Sequence, residues 1–147
     1  MILYHGSSCA VALPEIRITR FAKDFGQGFY CTALLEQAER WAARFATPCV
    51  SMYEFMPNET LSRLCFDTMT EAWLDFIIAC RTGKPHGCDI VEGPMANDQI
   101  WNYVADFIAG ILTREQFWVL AKFKRPTHQV AFCTERGLAC LRFKGEA

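Results

Sequence analysis

The 147 residues are 52% hydrophobic, with 12 Phe and 4 Trp, which excludes a disordered chain. That length fits a single domain spanning residues 1–147, able to bury about 70% of its unfolded surface. A formal net charge of −1, with acids and bases interspersed, excludes broad electrostatic capture of nucleic acid or of an anionic membrane.

In chain order, MILYH at 1–5 suits a short strand that stops at Gly6-Ser7-Ser8. Gly6 opens the main chain to close approach beside His5, and Ser7 adds a hydroxyl. A lone histidine in an apolar stretch reads either as a satisfied core residue or as a ligand contact. The opening carries no positive region and too short an apolar run for a secretory signal. No stretch reaches the ~20 apolar residues of a membrane span, so a cytoplasmic protein is expected. Cysteines at 9, 31, 49, 65, 80, 88, 133 and 140 form no Cys-x-x-Cys pair. They are expected as reduced thiols, several acting as small core hydrophobes. The three histidines share no ligand spacing with them, so no metal site is expected.

Pro14 interrupts VALPEIRI, giving an irregular or edge segment. Arg17, Arg20 and Lys23 leave room for a local basic groove. DFGQGFYCT, residues 24–32, reads as a tight turn opening a strand, or as a ligand cleft with bare backbone beside an aromatic wall. Gly26 and Gly28 can take backbone angles barred to other residues, bringing Tyr30 to a cleft edge. Leu34, Ala38, Trp41, Ala42 and Phe45 recur at helical spacing and predict an amphipathic helix over 34–46. On it, Trp41 faces either the core or a ligand ring.

VSMYEF, 50–55, is rich in strand formers and precedes a turn at MPNET. Thr68 with Glu71 predicts a capping box for a helix striped by Trp73, Phe76, Ile77 and Cys80, ended by RTGKPHG. CDIVEGP, 88–94, reads as a short strand. Ile100, Tyr103, Val104, Phe107 and Ile108 mark another helix. Thr113 and Gln116 predict a second capping box before Phe117, Leu120 and Ala121. HQVAFCT, 128–134, and ACLRF, 139–143, look like closing strands joined by a turn at Arg136-Gly137. This irregular mixture predicts an α+β domain with a largely antiparallel or split sheet.

LYHGS, FGQGFYCT and QAERWA, in this order and spacing, resemble the ADP-ribosyltransferase superfamily of the poly(ADP-ribose) polymerase and diphtheria toxin type. Over nearly its full length the chain also resembles a branch of short bacterial proteins described as a domain of unknown function. There the pattern runs through LYHGS, DFGxGFY, QAxxWA, a WLDFI-like helix, GPxAND and a late Gln-x-x-Phe strand. The resemblance implies split mixed or antiparallel sheets with flanking helices. It also implies a mono-ADP-ribosyltransferase, a glycosyltransferase that uses NAD⁺ as substrate and needs no metal. His5 looks like the histidine that bonds the adenosine-side ribose, with the Gly6 main chain and Ser7 beside the nicotinamide carboxamide. Tyr30 and Trp41 correspond to the pair that sandwiches nicotinamide, with Gly28 a further cofactor-binding position. Thr32 and Gln37 are nearby hydrogen-bonding groups, and Arg20 could reach the pyrophosphate.

One position departs from the pattern. Where such transferases carry a glutamate against the nicotinamide ribose, this chain has Gln129. The amide can hold a hydroxyl but cannot offset positive charge or take a proton. Asp98, in GPMANDQ, is the candidate replacement acid; it reads equally as a helix N-cap. The acceptor is left open among protein, nucleic acid and small molecule, and no membrane partner is expected. The alternatives are an NAD⁺ or ADP-ribose binding module without turnover, and an interaction domain with an empty cleft.

Overall fold

The computed structural model describes residues 1–19, 23–122 and 127–147, with Asp98 described by its backbone alone. The element order is β1 (Ile2–Ser7), β2 (Phe29–Cys31), α1 (Leu35–Ala42), β3 (Cys49–Phe55), β4 (Arg63–Cys65), α2 (Glu71–Arg81), β5 (Ile90–Gly93), α3 (Asp98–Ile108), α4 (Arg114–Ala121), β6 (Gln129–Phe132), α5 (Glu135–Leu138) and β7 (Leu141–Glu146). Strands β1, β3 and β7 form one antiparallel sheet. The second sheet has the order β2-β6-β5-β4, in which only β4 and β5 run parallel. The fold is α+β with two sheets.

Strand alternation sends the two faces of the second sheet into different cores. Phe29, Cys31, Ile90, Val130 and Phe132 face the first sheet, where they meet Leu3, Tyr53 and Phe55. Tyr30, Val91 and Ala131 face the other way, onto buried residues of α2, α3 and α4 such as Trp73, Ile77, Ile100, Val104 and Phe117. All four residues of β6 are therefore buried, as expected of a strand covered on both faces. Each large apolar side chain so enclosed contributes about 1.5–3 kcal/mol.

Helix α1 covers the outer face of the first sheet, and Gly6 lets it sit there. A Cβ at Gly6 would lie 2.1 Å from the Ala38 carbonyl oxygen and 2.7 Å from the Ala42 nitrogen. The two sheets join at an isolated bridge between Tyr4 and Thr32. Tyr4 N–H donates to the Thr32 carbonyl at 2.8 Å, and Thr32 N–H to the Tyr4 carbonyl at 2.9 Å. Past this bridge β1 and β2 part. Alternate residues of a strand turn their main-chain groups to the same side, so Gly6 directs its N–H and C=O into the opening.

Several local expectations change in the fold. The helix predicted over 34–46 ends at Ala42, ahead of the break at Pro48. Thr70, not Thr68, caps α2: its hydroxyl accepts from Trp73 N–H at 3.2 Å, because the helix starts at Glu71. The capping box at Thr113 and Gln116 forms as the spacing predicts. Strand β4 escapes a sequence reading, being three residues at the sheet edge. The closing strands do not form a hairpin. Arg136 and Gly137 lie in the helical turn α5, capped by Thr134, which carries the chain from the second sheet to the first. Among the described residues, no helix is long and apolar enough to cross a membrane.

Candidate functional site

A cleft of about 650 Å³ opens where β1 and β2 part, with His5, Gly6, Asp24, Tyr30, Trp41 and Gln129 among its lining. It adjoins a hollow of about 340 Å³, lined in part by Ser7 and Gly28, with which it shares His5, Gly6, Lys23, Tyr30 and Phe45. Strands β1, β2 and β6, helices α1 and α3 and the loops between elements supply this wall, so the residues meet only through the tertiary fold.

His5 is oriented by its own neighbours. Its Nδ1 stands 2.7 Å from the Tyr30 carbonyl oxygen. A carbonyl can only accept, so Nδ1 carries the proton and the neutral ring keeps a lone pair on Nε2. Burial is the main influence holding the pKa of His5 below the usual histidine value; the Tyr30 bond pulls against it, and the charge of Lys23 adds to it. The imidazole also packs on Phe29, with ring centroids 4.3 Å apart. It offers the cleft a fixed acceptor.

Tyr30 offers its ring, not its hydroxyl. The hydroxyl donates to the Gly26 carbonyl at 2.6 Å and accepts from Phe25 N–H at 3.1 Å. Burial pushes the phenol well above its ordinary range, so it is no acid. Lys23 Nζ lies 5.0 Å from the ring centre, and burial lowers the pKa of that ammonium. Trp41 is half-buried on α1 and lines the cleft instead of filling the core.

The DFGQGFY segment is a pinned loop. Gly26 has φ +81°, a conformation that favours glycine. Gly28 has no positive φ; it is small because a Cβ there would lie 2.9 Å from the Phe132 carbonyl oxygen on β6. The pinning centres on Asp24, which is 5% exposed. Its Oδ1 accepts from Arg81 Nη2 at 2.7 Å and Nε at 3.2 Å. Its Oδ2 accepts from Ala96 N–H at 2.8 Å and from Gln129 Nε2 at 3.2 Å. Burial lowers the pKa of Arg81, and Asp24 acts in the opposite sense.

Asp24 thereby settles which way Gln129 points. A carboxylate accepts only, so the amide nitrogen must face Asp24 and the carbonyl oxygen is the other end. Among the described residues Gln129 Oε1 has no hydrogen-bond partner. A buried amide aimed in this way is an acceptor for a hydroxyl in the cleft.

Other predicted residues stand elsewhere. Thr32 is fully buried, and its hydroxyl accepts from Leu34 N–H at 3.1 Å at the entry to α1. Gln37 is also buried and grips the main chain of His128 with both ends of its amide. Both therefore brace α1 against neighbouring strands and do not line the cleft. Ser7 lines the adjoining hollow, with its hydroxyl donating to the Cys9 carbonyl at 2.7 Å. Arg20 lies outside the described residues, as does the side chain of Asp98. The backbone of Asp98 begins α3, and the N-cap is Asn97, whose Oδ1 accepts from Ile100 N–H at 3.3 Å.

Sequence reasoning missed Asp24, an acidic group that lines the cleft. It stood inside the quoted motif, next to the glycines that drew attention. Its partner Arg81 is 57 residues away in sequence, and no local signal couples the two. Of the residues expected to form a basic groove, Lys23 lines the cleft, as does Arg44 from beyond α1, while Arg17 lines the hollow and pairs with Glu15 at 3.8 Å. All eight cysteines are free. Among the described residues no group of His, Cys, Asp and Glu is placed to hold a metal ion.

A family model described as a protein of unknown function, DUF3990, matches residues 1–143, so the chain belongs to that family. No curated protein matches the chain.

Proposed function

We propose that the cleft binds NAD⁺ and passes its ADP-ribosyl group to an acceptor, the activity that the resemblance to ADP-ribosyltransferases implies. The observation that supports this reading most is the convergence of His5, Gly6, Tyr30, Trp41 and Gln129 on one opening. Composition alone would scatter such residues over the surface and core.

In this reading His5 Nε2 accepts from a ribose hydroxyl. The outward N–H and C=O of Gly6 pair with the nicotinamide carboxamide, which carries both a donor and an acceptor. The Trp41 face receives the cationic pyridinium ring by stacking and cation–π attraction, with Tyr30 across from it. Gln129 Oε1 accepts from the nicotinamide-ribose 2′-hydroxyl. Lys23 supplies positive charge for the pyrophosphate.

The reaction breaks the bond between ribose C1′ and the nicotinamide nitrogen, whose positive charge the departing electron pair neutralises. The acceptor's lone pair makes the new bond to C1′, and its proton passes to water. A neutral amide where a carboxylate would serve costs a few kcal/mol, about 10²–10³ in rate. Asp24, bonded to the amide nitrogen, polarises Gln129 and recovers part of this. We place the protein in the cytoplasm, with reduced thiols and access to NAD⁺.

A second reading, an NAD⁺ or ADP-ribose binding module without turnover, is favoured by one observation: Asp24, the acid bonded to Gln129 among the described residues, is already paired with Arg81. Incubation with NAD⁺ labelled in the nicotinamide ring separates the two. Release of labelled nicotinamide supports the transferase, and thermal stabilisation without release supports the module. His5→Ala and Tyr30→Ala are each expected to abolish NAD⁺-dependent stabilisation. If both folded variants are stabilised like the parent, NAD⁺ does not occupy this cleft.

A further inference from the structure

We propose that Trp101 is a platform for a second ligand of the same cleft, a neutral planar heteroaromatic ring of the nucleobase class. On the reading above, that ring belongs to the acceptor. Trp101 sits on α3, is 39% exposed and lines the cleft. One face of its indole is already occupied. The Arg81 guanidinium carbon lies 3.4 Å from the ring centre, and Arg81 Nη1 donates to the Trp101 carbonyl at 3.2 Å. Arg81 is itself held by Asp24, with both side chains only 5% exposed. The stack cannot rotate away.

This backing decides what the other face prefers. A cation on one side of an indole draws on the same negative ring face that would attract a second cation. The remaining face therefore suits a neutral, electron-rich ring better than a pyridinium. Trp41 has no such cation among the described residues, which makes it the better partner for the charged nicotinamide. Two tryptophans on two helices thus divide the cleft between a cationic and a neutral ring.

The polar groups near Trp101 fit the edge of such a ring. Asn97, the N-cap of α3 and also in the cleft lining, spends its Oδ1 on the cap and keeps its amide N–H groups. Asn102 is exposed, lines the cleft and brings a full amide. These groups match the donors and acceptors of a base edge and carry no charge of their own. A free nucleoside and an unstacked base of a single strand share this chemistry.

The experiment titrates single nucleosides, and separately a short single-stranded oligonucleotide, against the protein, following tryptophan quenching and calorimetric heat. Saturable binding is expected, weakened about tenfold or more by Trp101→Ala and largely kept by Trp101→Phe, in line with the usual worth of base stacking. Asn102→Leu weakens it without disturbing the fold. Binding of nucleosides identifies a small acceptor; binding of the oligonucleotide alone identifies a strand. The proposal is overturned if neither binds, or if Trp101→Ala binds as tightly as the parent. NAD⁺-dependent stabilisation, measured in parallel, tests the cleft reading by itself: its loss in the parent protein leaves the nucleoside titration interpretable.

Discussion

Gln129 and Asp24 share one hydrogen bond, and on the proposed reading that bond should make the simplest charge-restoring substitution ineffective. Gln129→Glu would set a carboxylate 3.2 Å from Asp24 Oδ2 in place of an amide donor. Two buried carboxylates at that distance cannot both ionise, and they titrate as a pair. Gln129→Glu alone should destabilise the fold by about 1–3 kcal/mol and leave NAD⁺ hydrolysis at neutral pH unchanged. The exchange Asp24→Asn with Gln129→Glu restores a single charge within the same network and should hydrolyse NAD⁺ faster than the parent. Urea unfolding and nicotinamide release measure the two effects; faster hydrolysis in an undiminished single variant would remove Asp24 from the account. At this scale the residues of the site were legible where their chemistry is intrinsic, as with the His5 ring and the Tyr30 ring. Orientation was not, because the proton on His5 Nδ1 and the direction of the Gln129 amide are both dictated by partners distant in sequence.

Helix α1 and strand β1 meet backbone to backbone at Gly6, which gives the Gly6 position two duties. It opens the main chain to the cleft on one edge and admits α1 on its face. Gly6→Ala must displace α1 from the sheet, since the new methyl would fall 2.1 Å from a carbonyl oxygen that cannot rotate away. A cost of about 3 kcal/mol or more is expected, measurable as a lowered urea midpoint. An unchanged midpoint would mean that α1 sits less tightly on β1 than the fold implies. Periodicity exposed the longer elements, because a buried helical stripe repeats often enough to be seen, as in Ile100, Val104 and their neighbours. The short pieces stayed hidden. A three-residue edge strand such as β4 shows no period, and the turn α5 looked like a hairpin because Gly137 suggests a turn. Gly137 is small for another reason: a Cβ there would lie 2.7 Å from the Asp89 carbonyl oxygen.

Strand β6, like β2 and β5, sends side chains into both cores of the molecule. Val130 and Phe132 belong to the core between the sheets, and Ala131 to the core under α2, α3 and α4. Damage on one face of β6 must therefore be felt on the other. Phe132→Ala should cost about 3–5 kcal/mol, with aromatic near-ultraviolet and backbone far-ultraviolet signals melting at one midpoint. Two separated midpoints would show that the cores unfold independently. By itself the sequence determined the α+β class, the longer helices, and the residue types set aside for a cleft, because hydrophobic period and glycine placement act through near neighbours. Only the tertiary structure decided that β6 and β7 lie in different sheets, that Thr32 and Gln37 serve the frame, and that buried Asp24 and Arg81 lead by contact to the exposed Trp101 ring. Those outcomes depend on groups far apart in sequence, and close packing with paired charge selects among them once the whole chain is folded.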